Sequence, residues 1–283
     1  MGTSAASSGA GSGVPFDPPW LDDVLPDFPG DGKPPLSEEP NNDEEDNPQP
    51  DENPNHSPAV APPARFRNAR RNLGEFIRTG DREAFRSAIG HYSRSGMGGA
   101  RRVANRMRVS TKSAANLFHV LQSARDNSDP NISEWVSTLA AQSTSAQDIV
   151  NEIIRYVAPN GGSVEENSCR DSMAFALQDL LANNPNIDLL QLGDESIWTL
   201  IESFLGYEAS SRIYFDNGAY FENKEFSVQT VLRMNEMYDY LRADLSAQIG
   251  KLRQTTPNAT RKQLQEILQK AVENTFQVYE DSL

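Results

Sequence analysis

From Ala64 onward, apolar side chains recur at the three-to-four-residue spacing of an amphipathic helix. Phe85, Ala88, Ile89 and Tyr92 share one helical face, with Thr79 and Asp81 as candidate caps. Leu117, Val120, Leu121 and Ala124 repeat the pattern after Ser110, a possible N-cap. A short helix is expected from Ser145, carrying Ile149, Ile153 and Ile154, and ending before Pro159-Asn160-Gly161-Gly162. Ser163 and Glu166 have the spacing of a capping box, in which each side chain satisfies the other's backbone amide. The helix that follows carries Met173, Ala176, Leu177, Leu180 and Leu181, and Asn183-Asn184-Pro185-Asn186 stops it. Ile197, Leu200, Ile201, Phe204 and Leu205 form the next stripe, after Asp194. Val231, Tyr238, Leu245 and Leu252 recur every seven residues with Met234 and Leu241 between them, a heptad-like seam. Thr260 and Gln263 cap a last helix through Leu264, Ile267, Leu268, Ala271, Val272 and Thr275. Asn217-Gly218 fits either a hairpin turn or the end of a helix. The helical surroundings favour the helix end. The expected fold is all-α, a helical bundle.

The first 63 residues break this pattern. A thread of small residues and glycines through Gly13 buries little area and loses much entropy on ordering. Trp20, Leu21 and Phe28 then sit in an acidic, proline-rich context, a composition that suits either a partner-docking peptide or a plain solvated linker. Asn42-Asp43-Glu44-Glu45-Asp46 lies in a stretch too polar to fold. The expected organisation is a disordered arm over 1–63, a basic helical subdomain over 64–158 and an acidic helical bundle over 159–283.

Charge sharpens this division. The net charge of −14 hides a reversal. Residues 1–63 hold 13 acids against Lys33, residues 64–125 hold 14 bases against three acids, and residues 126–283 hold 24 acids against 11 bases. No apolar run is long enough to span a membrane, and the N-terminus has no secretory pattern. A cytoplasmic protein is expected.

Candidate chemistry is sparse. Cys169 has no cysteine partner, and His56, His91 and His119 show no metal-ligand spacing. No phosphate-binding P-loop or nucleophile elbow is present. The expectation is a non-enzyme with no cofactor and no metal. The most informative segment runs from Tyr92 to Arg108, where Gly96, Gly98 and Gly99 open a predicted helix rich in arginine. Arg94, Arg101, Arg102, Arg106 and Arg108 could bind an anion there, since glycine turns and helix starts present amides and arginine supplies paired donors. Three uses fit: a tight turn beside a solvated basic face, docking of an acidic surface, or nucleic-acid binding.

The Met1-Gly2-Thr3-Ser4 start, the Pro18-Pro19-Trp20-Leu21 run and the segment Tyr92–Arg101 followed by Arg106-Met107 resemble the QatB family of the bacterial Qat anti-phage system. That resemblance implies companions: an ATPase (QatA), a QueC-like enzyme (QatC) and a TatD-like nuclease (QatD). QueC-like enzymes activate a carboxyl-deazaguanine with ATP. The resemblance therefore implies that the Gly2 amine, once Met1 is removed, could accept a deazaguanine base. Myristoylation at Gly2 is disfavoured because position six is Ala6.

Overall fold

The computed structural model describes residues 61–62, 64–142, 145–158, 162–217, 228–255 and 259–283. The expected arm lies outside the described residues except at its end, where Ala61 is buried. The described residues are all-α. The helices are α1 (Arg67–Thr79), α2 (Arg82–His91), α3 (Ala100–Arg106), α4 (Arg108–Asp126), α5 (Pro130–Ala141), α6 (Ala146–Val157), α7 (Val164–Asn183), α8 (Asp194–Asp216), α9 (Val228–Thr255) and α10 (Arg261–Glu280). A π-helical turn, Tyr92–Met97, joins α2 towards α3.

Local chemistry sets most of these ends. Gly80 takes a left-handed φ of 74° and its amide closes α1 on Phe76. Asp81 accepts from the Glu83 amide at 3.1 Å and starts α2. Full capping boxes open α6 (Ser145, Asp148), α7 (Ser163, Glu166) and α10 (Thr260, Gln263). Helix α8 continues through Ile213 to Asp216, so the chain entering Asn217 is a helix end; residues 218–227 lie outside the described residues. Ser110 is not a cap. It is buried inside α4, and the break between α3 and α4 falls at Met107, whose amide is shared between the Val103 and Ala104 carbonyls.

One continuous core joins the basic and acidic segments. Helix α10 packs against α2, α3, α4 and α9, and α8 packs against α4, α7 and α9. Phe76, Phe85, Tyr240 and Tyr279 form an aromatic knot with ring centres 5.2–5.7 Å apart for its closer pairs. The seam of α9 departs from the heptad. Met237, Leu241, Leu245 and Ile249 are the fully buried positions, four residues apart, while Val231 is 48% exposed. The physical reason is that α9 packs on both α8 and α10, as a globular helix does, rather than along one coiled-coil partner. Among the described residues, no helix is long and apolar enough to cross a membrane.

Candidate functional site

The glycine–arginine segment is held from both sides. The Tyr92 hydroxyl donates to Asp216 Oδ2 at 2.8 Å, and Ser93 Oγ donates to Glu280 Oε1 at 2.5 Å. Burial and the Asp216 carboxylate push the Tyr92 phenol well above its usual range, so it remains a donor. The acids that meet this part of the basic segment thus come from the ends of α8 and α10.

Its three glycines do different work. A Cβ on Gly96 would fall 2.5 Å from the Phe66 ring, which stacks on Tyr92 with centres 5.8 Å apart, so Gly96 permits close packing. Gly98 and Gly99 have φ of 81° and 118°, values side chains strain to adopt, and they turn the chain into α3. The Gly99 amide is already spent on the Ser93 carbonyl at 2.9 Å.

The arginines do not converge on one point. Arg94 and Arg101 are exposed. Arg102 turns back to donate to the Gly98 carbonyl at 3.1 Å. Arg106 is half-buried, close enough to Tyr92 to act on its phenol. Arg108 lines a separate cleft. Gly2, Trp20, Leu21 and Phe28 lie outside the described residues.

The cleft between α4 and α10 has a volume of about 580 Å³. Arg108 and Lys112 approach it from α4, Arg261 and Lys262 from the start of α10. Glu266 is the one acid lining it among the described residues. Amides complete the wall: Asn105 at the end of α3, Asn116 on α4, and Gln265 and Gln269 on α10. Gln269 donates to Asn105 Oδ1 at 3.1 Å, and the buried Asn116 donates to the Val157 carbonyl at 3.3 Å.

A second polar cluster is closed to water. Glu208 on α8, fully buried, accepts from Ser168 Oγ (2.9 Å), Ser172 Oγ (3.1 Å) and Arg212 Nε (2.7 Å). Arg212 also meets Glu165 at 3.3 Å. Cys169 lies beside this cluster. Burial, reinforced by Glu208, pushes its thiol up to about 12, far from a reactive thiolate. His91 and His119 stand apart on α2 and α4, both held below the usual imidazole range, first by burial. Among the described residues, no group of three or more His, Cys, Asp or Glu is placed to hold a metal ion.

Comparison with known families settles what kind of chain carries these features. The model of the Qat anti-phage system associated protein QatB matches residues 98–279. The chain belongs to the QatB family. The match takes in α3 through nearly all of α10, with Gly98, the α4/α10 cleft and the Glu208 cluster inside it. It extends through the acidic helices, beyond the N-terminal runs and the Tyr92–Met107 stretch on which the residue resemblance rests. No curated protein and no solved structure matches the chain. A QatB-family protein is thus a component of an anti-phage defence system.

Sequence reasoning missed the cleft and the Glu208 cluster. The cluster left a faint signal in the i, i+4 pairs Ser168/Ser172 and Glu208/Arg212. The cleft left less, because its two cationic walls are about 150 residues apart.

Proposed function

We propose that this QatB-family chain serves its defence system without a reaction of its own, presenting its N-terminal arm as substrate or docking peptide to a QueC-like partner enzyme. The family match carries the reading, since it places the chain among the components of the Qat system. The sequence of the arm supports it. Gly2 heads a dozen small residues that can thread a narrow active site, and Trp20, Leu21 and Phe28 follow as apolar anchors. The α-amine has an ordinary pKa near 8, so a useful fraction is neutral at physiological pH. That neutral amine attacks the ATP-activated carboxyl carbon of a deazaguanine. The activating group leaves with the C–O bonding electrons, the amine proton passes to solvent, and an amide forms. The basic segment 64–158 and the acidic segment 159–283 then provide the body to which the arm is tethered. The Qat ATPase and the TatD-like nuclease are further partners on this reading.

Intact mass and N-terminal peptide analysis of the chain co-expressed with its operon test the proposal. The expected result is an adduct on Gly2 that vanishes when the QueC-like enzyme is omitted. A plain glycine terminus from the complete operon counts against the acceptor role. Loss of co-purification on Trp20→Ala with Phe28→Ala separates docking from modification. The second reading, a nucleic-acid adaptor, rests on the exposure of Arg94 and Arg101. Under it, Arg94→Gln with Arg101→Gln removes retention of DNA or RNA.

A further inference from the structure

The start of α1 lacks what most helix starts in this chain possess. Peptide dipoles leave partial positive charge at a helix start, which favours acids and capping acceptors there. Helices α2, α6 and α7 each have both, a capping side chain and an acid in the first turn. Helix α1 has neither. Phe66 at its N-cap offers no side-chain acceptor, and its first turn holds no acid. Arg67 stands there instead, with Arg71 one turn on along the same face, and like charges at that spacing repel. Both are exposed, and neither meets a carboxylate among the described residues.

The π-helical turn brings a third arginine to this corner. Phe66 packs on Gly96 and Tyr92, which seats the start of α1 against the turn that carries Arg94. Arg71 and Arg94 both act on the His91 imidazole, after burial, so their fields overlap. Arg94 too is exposed and meets no carboxylate among the described residues. The nearest acids are engaged elsewhere: Glu75 pairs with Arg78 at 2.6 Å, and Glu280 accepts from Ser93.

The chain itself carries the complementary charge. Between Glu38 and Glu52 there are eight acids and no base. The chain reaches α1 along the body: Ala61 is 1% exposed, and the Arg67 amide closes a turn on the carbonyl of Ala64 at 2.9 Å. Asp46 is fifteen residues from Ala61, a span of at most about 50 Å, whereas Arg67 and Arg71 lie about 6 Å apart along α1. The tether is therefore long enough to double back. A tether of this kind sets an effective concentration on the order of millimolar.

We propose that the acidic stretch Glu38–Glu52 of the chain's own N-terminal arm docks on the arginine face of Arg67, Arg71 and Arg94 and screens it from other polyanions. The acidic side chains supply the negative charge that the start of α1 lacks and relieve the repulsion among the arginines. The inference does not need Gly2 to be an acceptor, and mass analysis of Gly2 leaves it untouched.

A nitroxide on Asn42→Cys in the full chain tests the contact. Cys169 is buried, with its thiol pushed up to about 12, so it escapes labelling. Paramagnetic broadening of the Arg67, Arg71 and Arg94 amides beyond that of α5 is the expected result. It is lost when salt is raised from about 0.1 M to about 1 M, which shortens the screening length from about 10 Å to about 3 Å. It is lost as well in Arg67→Gln/Arg71→Gln/Arg94→Gln. The arm variant Glu38→Gln/Glu39→Gln/Asp43→Asn/Glu44→Gln/Glu45→Gln/Asp46→Asn shows the same loss with the body unaltered, which guards against misfolding of the triple variant. Broadening that is absent, spread evenly over the body or retained in the triple variant overturns the docking. Single-stranded DNA, as a polyanion probe, is expected to bind the arm variant at least about tenfold more tightly than the parent chain. Equal affinity for the two chains, or binding to neither, overturns the screening.

Discussion

The Glu208 cluster and the α4/α10 cleft use the same side-chain types to opposite ends. In the cluster, Arg212 is sealed between α7 and α8 and faces two carboxylates, with two serine hydroxyls completing the Glu208 shell. Charge there is dry and compensated inside the chain. In the cleft, Arg108, Lys112, Arg261 and Lys262 share the wall with the Glu266 carboxylate and four side-chain amides, and Lys262 and Glu266 are exposed to solvent. Charge that holds a fold together must be balanced within it, since a buried unpaired ion is expensive. The comparison makes the first region a stability element, and variants at exposed cleft positions should cost far less.

The largest effect is expected from Arg212→Met. It strands the Glu208 carboxylate, 0% exposed, without its cation, which costs about 3–5 kcal/mol. For a body of this size each kcal/mol lowers the melting midpoint by roughly 2–4 °C. Adding Glu208→Leu to Arg212→Met should recover most of the loss, since the stranded charge is then gone. Thermal and denaturant melts of the two variants check this. Equal destabilisation of the single and double variants would show that packing, not charge, makes the cluster matter.

Lys262→Glu reverses the sign of the expectation. Replacing a cation in the first turn of α10 with an acid suits the helix dipole, and a like charge one turn from Glu266 works against it, so the chain gains at most about 1 kcal/mol. A Lys262→Glu variant destabilised as much as Arg212→Met would erase the distinction between the two regions.

What the sequence discloses about these regions follows from the range of the forces involved. The capping boxes at Ser163/Glu166 and Thr260/Gln263 are legible because both partners lie within one turn. The stripe of α8 is legible because its spacing alone sets the face. The α3/α4 joint is not, because Ser110 looks like a cap until α4 buries it, and the break at Met107 carries no turn residue. The heptad reading of α9 picks Leu241 and Leu245 correctly but misplaces Val231 on the seam, because a second partner helix widens the buried face. The candidate site shows the same limit. Segment 94–108 stands out by local composition, yet only Asn105 and Arg108 from it reach the cleft. Arg261 and Lys262 join Arg108 through the packing of α10 on α4, a contact that no local pattern announces.

The smallest expected effect reads the field of the cleft from beside it. His119 is held below the ordinary imidazole range by burial and then by Arg261, with Asp129 pulling the other way. His91 is lowered by burial, then by Arg71 and Arg94. A histidine depressed in the folded state binds its proton more readily when unfolded. Both therefore contribute stability at pH values above the unfolded imidazole pKa, near 6.5. That contribution is lost as pH falls through 6.5 toward the folded values and levels off beneath them. The melting midpoint should decline on acidification across that window, and His119→Gln should flatten the decline in part. Arg261→Gln should raise the His119 pKa followed by proton NMR. A His119 pKa that Arg261→Gln leaves unmoved would show that the Arg261 field does not extend beyond the cleft wall.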